Sequence, residues 1–228
     1  MGKTTICQAI ADLARCRGYR PGGVITPALY ACPELALSRA CPESRRRVEG
    51  QSRRDSHGVK VGFEAVDVGS GERWPLARTD DPSTSRSGER SHEQSRRIVE
   101  PSGQRRELDG PRVGPYSFDP DGLARALRVL RGAISAQCDL LVIDEIGPLE
   151  LEQGEGFAPI LDLLPVEVPT HTLIVVRPAL LDPLLLRLRE TSFATPSKIF
   201  SVTEGNRDDL PLRIVEALWG DQHPCSVR

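Results

Sequence analysis

The sequence has no excess of positive charge, few lysines and no long apolar run, and each shortage excludes a class of protein. Thirty Lys and Arg residues face 32 Asp and Glu residues, which gives a formal net charge of −2. This balance argues against a protein that mainly coats nucleic acid or an anionic membrane. The most apolar stretch, residues 173–188, is interrupted by charges and prolines, so no membrane span is expected. Only three lysines are present, which leaves few candidates for a phosphate-binding lysine: Lys3, Lys60 and Lys198.

The cysteines have neither the spacing of a metal site nor that of a redox pair. No C-x-x-C pair occurs, and no histidine lies at ligand spacing from a cysteine. Residues 5–14 are too short and too polar for a secretory leader. We therefore expect reduced thiols, mostly buried or inert, in a soluble cytoplasmic protein. The six are Cys7, Cys16, Cys32, Cys41, Cys138 and Cys225.

The chain of 228 residues is long enough for one domain, which we place at residues 1–220, followed by a tail at 221–228. Two segments, 41–58 and 79–110, are rich in polar and charged residues and contain very few bulky apolar ones. We expect both to be disordered insertions, because they cannot bury enough surface to offset the entropy of ordering. The alternative, an arginine-rich arm for nucleic acid, is weakened in 79–110 because acidic residues outnumber the arginines there.

The hydrophobic pattern predicts an α/β fold. Apolar residues at helical spacing predict helices over 3–17, 119–136, 157–164, 180–188 and 210–218, with Asp119 as an N-cap. Apolar or alternating runs predict strands near 24–26, 59–68, 73–77, 139–144, 172–176 and 198–202, and the second and third of these form a hairpin. Strands that alternate with helices predict an open, mostly parallel sheet flanked by helices, with an added hairpin.

The run Gly2-Lys3-Thr4-Thr5 matches the second half of a phosphate-binding loop, G-x-x-x-x-G-K-[ST]. In such a loop, backbone N–H groups and a helix N-terminus face the phosphates, the lysine reaches the β- and γ-oxygens, and the next hydroxyl binds Mg²⁺. The short motif alone is weak, but here it opens an amphipathic helix. We therefore take it as a candidate nucleotide site.

A buried strand further along the chain provides the companion motif. Leu140-Leu141-Val142-Ile143 is followed directly by Asp144 and Glu145. A carboxylate at the end of such a strand can hold Mg²⁺, and the next carboxylate can take a proton from a water that attacks the γ-phosphate. The alternative is a core strand that ends in two solvated acids.

Four other polar residues are weaker candidates. Arg177 follows the strand at 172–176, where it senses the γ-phosphate or is simply a surface arginine. Arg112 either neutralises charge or belongs to a turn. Asn206 and Arg207 either contact the base or cap the last helix, with Asn206 as the N-cap.

The stretch Val142-Ile143-Asp144-Glu145-Ile146-Gly147-Pro148-Leu149-Glu150-Leu151 resembles the signature of a small nucleoside-triphosphatase family. That family was first described from thermophiles and includes the human cancer-related nucleoside-triphosphatase. Other blocks resemble it along nearly the whole chain outside the two insertions: Gly22-Gly23-Val24-Ile25-Thr26-Pro27, Val61-Gly62-Phe63 with Asp67, Leu76-Ala77-Arg78, Pro111-Arg112-Val113-Gly114-x-Tyr116 and Thr203-x-x-Asn206-Arg207-Asp208.

The resemblance implies a P-loop NTPase fold and Mg²⁺-dependent hydrolysis of ATP, GTP and other nucleoside triphosphates to diphosphates. Catalysis would then rest on Glu145, which activates water, and on Lys3. Mg²⁺ would be held by Thr4 and Asp144. The nucleotide-binding residues that the resemblance implies are Gly2, Lys3, Thr4, Thr5, Asp144 and Gly147.

The sequence departs from the family pattern at its beginning. The first glycine of the loop would lie six residues before Lys3, and the strand that precedes the loop is missing from the chain. One hypothesis is a start assigned too late, and the other is a truncated protein that binds nucleotide poorly. Pro115 also stands where the family usually has Lys.

Two other functions stay open. A small-molecule kinase would use the same loop but needs an acceptor pocket and usually a lid, and no arginine-rich lid helix is evident. A nucleotide-binding interaction module with a degenerate loop would use the insertions to recruit a partner. The sequence identifies no protein partner.

Overall fold

The computed structural model describes residues 2–31, 59–79, 110–164, 171–190 and 198–220. The predicted insertion 41–58, the tail 221–228 and nearly all of the insertion 79–110 lie outside these residues. No described helix combines the length and the apolar character that a bilayer crossing requires.

Helices and strands alternate along much of the described chain, as the hydrophobic pattern predicts. The helices are α1 (Lys3–Cys16), α2 (Pro120–Ser135), α3 (Pro148–Leu151), α4 (Ala158–Leu163), α5 (Leu181–Glu190) and α6 (Leu210–Trp219), with a 3-10 turn at Pro178–Leu180. The strands are β1 (Pro21–Ile25), β2 (Ala28–Ala31), β3 (Val59–Asp67), β4 (Arg73–Thr79), β5 (Arg112–Val113), β6 (Tyr116–Phe118), β7 (Leu140–Ile146) and β8 (His171–Val176).

The strands form one sheet in the order β5-β6-β4-β3-β1-β7-β8, with β2 paired to β3. Its parallel part consists of β1, β7 and β8, in which Val24 pairs with Ile143 and Ile143 with Ile174. A glycine is required at position 23, where φ is +109° and a Cβ would collide with the Val142 carbonyl of β7. The predicted α/β class with a parallel core is therefore confirmed.

The sheet is mixed and not mostly parallel as we predicted, because its antiparallel part is larger than a single hairpin. The hairpin β3–β4 is present, but β2, β5 and β6 add three further antiparallel pairings. These strands are four, two and three residues long. Such short runs give no detectable alternation in sequence, so their pairing depends on tertiary contacts.

Both faces of β7 are buried, because helices cover the sheet on two sides. Leu141 and Ile143 belong to a core shared with α2, α4 and α5. Leu140 and Val142, which point the opposite way, belong to a core shared with α1 and α6. Burial on both faces explains why this strand is apolar without alternation. It also fixes the end of β7, where Asp144 and Glu145 lie.

The predicted cap of α2 is confirmed, but two predictions near the carboxyl end of the chain are wrong. The Asp119 carboxylate accepts a hydrogen bond from the N–H of Asp121 at 3.1 Å, as an N-cap does.

The strand that we predicted at residues 198–202 does not form, and Ile199 is 60% exposed. They have no neighbouring strand, because β8 is the last strand of the described sheet on that side.

The last helix begins at Leu210 with Asp209 at its N-cap, and Asn206 is not the cap. Pro211 favours this start, because proline has no N–H and therefore fits the first turn of a helix, where N–H groups have no intrahelical acceptor. Asn206 stabilises the preceding turn instead. Its side chain accepts a hydrogen bond from Thr203 N at 2.9 Å and donates one to Ser201 O at 2.8 Å.

Candidate active site

The N-terminus of α1 lies against the carboxyl end of β7. Gly2 is the N-cap of this 14-residue helix, in extended conformation, and its carbonyl accepts from Ile6 N. Ile6 and Ile10 are buried and anchor the helix on the sheet. The first N–H groups of a helix have no intrahelical acceptor, and the helix dipole favours an anion there. This end of α1 can therefore receive a phosphate.

Asp144 is buried against α1, with 1% of its surface exposed. Its carboxylate accepts a hydrogen bond from Thr26 N at 3.2 Å and another from the Thr4 hydroxyl. Burial is the main influence on the pKa of Asp144 and raises it, and the charge of Glu145 adds to this. The bonds from Thr26 and Thr4 and the charge of Lys3 act in the opposite direction. A buried carboxylate of this kind is stabilised by a cation.

Glu145 is held between two cations. Its Oε1 lies 3.3 Å from Lys3 Nζ and 2.7 Å from Arg177 Nε. The Asp144–Glu145 peptide bond is cis. Three side chains from α1, β7 and the end of β8 therefore meet at the carboxyl edge of the parallel strands, which is where open α/β sheets bind ligands.

The segment that follows β7 is held in place by another carboxylate, that of Glu150. Glu150 is buried, and it accepts hydrogen bonds from Gly147 N at 2.8 Å and from Phe157 N at 3.1 Å. Burial raises the pKa of Glu150 above its ordinary value, while these N–H groups oppose the increase. Gly147 is the N-cap of α3. Its N–H thus binds Glu150, and its predicted role at the nucleotide stays a prediction.

The residues around Asp144 fit a magnesium ion. The carboxylate of Asp144 and the hydroxyl of Thr4 are hard oxygen donors in contact with each other beside a helix N-terminus. Mg²⁺ in nucleotide sites takes one or two protein oxygens and completes its shell with water and phosphate. Within the described ranges no group of three His, Cys, Asp or Glu residues converges.

The structure brings Lys3, Thr4, Asp144, Glu145 and Arg177 together. Thr5, the residue after Thr4, is exposed in the first turn of α1.

The other candidates lie in different surroundings. Arg112 lies on β5, and its carbonyl accepts a hydrogen bond from the side chain of Gln153 at 3.1 Å. Asn206 forms its hydrogen bonds within its own turn. The buried Arg207 Nε has no hydrogen-bond partner among the residues that the structure describes. The predicted contact of Asn206 and Arg207 with the base stays a prediction.

Three residues of this region were not predicted from the sequence. Thr26 acts through its backbone N–H, which no side-chain pattern reveals. Glu150 belongs to a recognisable block but acts on backbone groups. Lys60 is half-buried, and its charge interacts with those of Arg177 and Glu145. The one signal for Lys60 was the scarcity of lysine in the chain.

Comparisons with known proteins place the chain in a family. A family model described as NTPase matches residues 39–215. The chain is 29% identical to the nucleoside-triphosphatase THEP1 of Methanopyrus kandleri over 95% of this chain and 88% of that protein. It is 32% identical to the nucleoside-triphosphatase THEP1 of Hyperthermus butylicus over 96% of this chain and 86% of the relative.

A solved structure supports the fold. The crystal structure of THEP1 from Aquifex aeolicus superposes with a TM-score of 0.52 over 96% of this chain and 93% of that chain. The sequence identity is 18%, so this similarity speaks for the fold alone. It agrees with the P-loop NTPase fold that the sequence blocks predicted.

Proposed function

Because the chain belongs to the NTPase family, we propose that it hydrolyses nucleoside 5′-triphosphates such as ATP and GTP to the diphosphate and inorganic phosphate. We further propose that the reaction depends on Mg²⁺. The observation that carries the proposal is the position of two adjacent carboxylates at the N-terminus of α1. Asp144 binds the Thr4 hydroxyl, and Glu145 binds Lys3.

Lys3 and the first N–H groups of α1 bind the phosphates in this mechanism. Thr4 and Asp144 would hold Mg²⁺, which when bound neutralises charge on the phosphate oxygens. Arg177, whose Nε lies 2.7 Å from Glu145, binds the γ-phosphate oxygens in this mechanism. These cations stabilise the negative charge that the transition state spreads over those oxygens.

Glu145 acts on the attacking water. The water oxygen forms a bond to the γ-phosphorus, the bond from that phosphorus to the β–γ bridging oxygen breaks, and the water proton passes to the Glu145 carboxylate. In the structure both cations bind Oε1 of Glu145. When Lys3 and Arg177 bind phosphate oxygens instead, this oxygen becomes available to the water. Substrate binding thus prepares the base.

The direct test is phosphate release from ATP and GTP by the purified protein without any added acceptor. We expect release that stops when EDTA removes divalent cations and resumes with Mg²⁺. Release only in the presence of a small-molecule acceptor would instead indicate a kinase. Nucleotide binding without release would indicate a binding module.

A pair of lysine variants tests whether the loss of activity is specific to Lys3. Lys3→Met should weaken both binding and turnover, because it removes the phosphate-binding cation but keeps a side chain of similar length. Lys198→Met is the control, since Lys198 is exposed and donates a hydrogen bond to the Ala217 carbonyl of α6. Equal losses in both variants would contradict the role of Lys3.

A further inference from the structure

The first half of β3 extends past the edge of the sheet at which the site lies. Val24 and Ile25 of β1 pair with Asp67 and Val66, at the end of β3. Its beginning pairs with β2, from Ala28↔Phe63 to Ala31↔Val59. Since β2 follows the carboxyl end of β1, this half of β3 lies beyond the carboxyl ends of the parallel strands. Lys60 belongs to this projecting segment.

The sheet curls so that its antiparallel end returns toward the site. β5 is the first strand of the sheet order and β7 is close to the other end. Nevertheless the side chain of Gln153, just after α3, donates a hydrogen bond to the carbonyl of Arg112 on β5. The neighbouring strand β6 carries Tyr116, which reaches Lys60. The projecting part of β3 is therefore turned toward the segment that follows the end of β7, where Glu145 lies.

Two aromatic rings hold the Lys60 ammonium in place. Its Nζ lies 3.8 Å from the ring centroid of Phe63 and 5.4 Å from that of Tyr116. The two rings are themselves 4.9 Å apart. Cation–π contacts of this kind fix the position of an ammonium group but do not neutralise its charge. Lys60 is thus a cation that is held in place and keeps its charge.

The charges around Lys60 belong to the candidate active site. The pKa of Lys60 is lowered, first by burial and then by the positive charge of Arg177, while the carboxylate of Glu145 opposes the decrease. Among the described residues, no carboxylate forms an ion pair with Lys60. Lys3, Lys60 and Arg177 all interact with the single carboxylate of Glu145, and this local excess of cations favours the binding of a further anion. The anion that the proposed reaction brings to this place is the end of the triphosphate.

We propose that Lys60 is a third phosphate-binding cation of this site and that it contacts the γ-phosphate of the nucleoside triphosphate together with Lys3 and Arg177. This inference rests on the proposed function and adds a residue to it. A lysine is suited to the role because its ammonium can point between several phosphate oxygens. Held at the rim by Phe63 and Tyr116, it distinguishes a triphosphate from a diphosphate.

The test compares the affinities for a triphosphate and a diphosphate in Lys60→Met. Methionine keeps an apolar stem beside both rings and removes the charge together with its cation–π contacts. We expect the Kd for a non-hydrolysable triphosphate analogue to increase about tenfold or more, with little change in the Kd for the diphosphate. kcat/KM for the triphosphate should fall by a similar factor. Lys60→Arg should restore part of the loss.

Two further measurements keep this result interpretable. Lys198→Met changes the same charge at an exposed position and should leave the ratio of the two affinities unchanged. A thermal melt of Lys60→Met reports whether loss of the cation–π contacts disturbs the fold. A merely structural lysine would weaken tri- and diphosphate binding equally and lower the melting temperature, and that result would overturn the proposal.

The failure of this inference can be separated from a failure of the proposed function. If the unaltered protein hydrolyses nucleoside triphosphates and Lys60→Met keeps the same ratio of affinities, only the role of Lys60 is refuted. If the unaltered protein binds neither nucleotide, both proposals are refuted. If it binds without hydrolysis, the comparison of affinities still decides the role of Lys60.

Discussion

Arg177 donates a 2.7 Å hydrogen bond from its Nε to Oε1 of Glu145, and the same carboxylate oxygen lies 3.3 Å from Lys3 Nζ. One oxygen of the proposed base is thus shared by two cations that can also bind phosphate. Glu145 is partly exposed, with 23% of its side chain accessible, so water and substrate can reach it. In the proposed mechanism, phosphate binding by Lys3 and Arg177 frees this oxygen of Glu145. Substitutions of Arg177 and Glu145 are therefore expected to change activity in different ways.

Replacing Arg177 with Gln should lower kcat by about 100- to 1,000-fold, the usual loss when one donor to a developing charge is removed. The effect on diphosphate affinity should be small, because the arginine contacts the transferred group. Steady-state phosphate release and diphosphate titration measure the two quantities. Arg177→Lys should retain part of the rate, since it keeps the charge but loses the planar donor geometry.

Arg189 offers a control for the arginine prediction. It is exposed on α5, the helix that follows the Arg177 turn. Arg189→Gln should leave kcat within a factor of two or so of the original value. A similar decrease in both variants would mean that Arg177 acts through general charge and does not contact the transferred phosphate.

Replacing Glu150 with Ala should lower the free energy of unfolding, because Gly147 N and Phe157 N lose their acceptor. Each buried N–H left without a partner costs roughly 1–3 kcal/mol. Urea denaturation measures the change. Glu152→Ala, on an exposed neighbour, should cost less than about 0.5 kcal/mol. Equal stabilities of the two variants would refute the structural role of Glu150.

The same carboxylate should give the stability a dependence on pH. Because burial raises the pKa of Glu150 above its unfolded value, the folded state holds this proton more tightly than the unfolded chain does. Its contribution is complete below the unfolded pKa of about 4.3 and is lost as the pH rises through the folded value. Glu150→Gln should remove this part of the pH dependence in urea titrations. An unchanged profile would contradict the raised pKa.

The thiols of the described residues should differ in reactivity. Cys16 is exposed, whereas Cys7 and Cys138 are buried and free. Burial raises the pKa values of both buried thiols, so little thiolate is available for reaction. Peptide mapping after brief alkylation should find label on Cys16 and much slower label on the other two. Rapid alkylation of Cys7 in the folded protein would contradict the packing of α1 on the sheet.

The regular elements around the parallel strands could be predicted from the sequence because their signals are local. The apolar run at 140–143 is buried on both faces, and the spacing of Ile6 and Ile10 marks the buried face of α1. Asp119 marks the start of α2 because its carboxylate caps the helix, and Pro120 does so because proline fits the first helical position. The short strands β2, β5 and β6 have no such local signal, since only their partners make them strands.

The candidate site could be predicted where function depends on side chains in recognised motifs. Lys3, Thr4, Asp144 and Glu145 come together as their spacing and order suggested. Thr26 was missed because its contribution is a backbone N–H. Lys60 was missed because its approach to the site depends on the unpredicted pairing of β2 and on the curl of the sheet.

The central claim is that Glu145 activates the water that attacks the γ-phosphate, and Glu145→Gln tests it most directly. Glutamine keeps the size of the side chain but cannot take the proton. We predict that the variant binds the triphosphate with nearly the original affinity, while kcat falls by about 100- to 10,000-fold. The control, Glu152→Gln, should keep both values. Equal turnover by Glu145→Gln and the unaltered protein would contradict the account and remove Glu145 from the reaction.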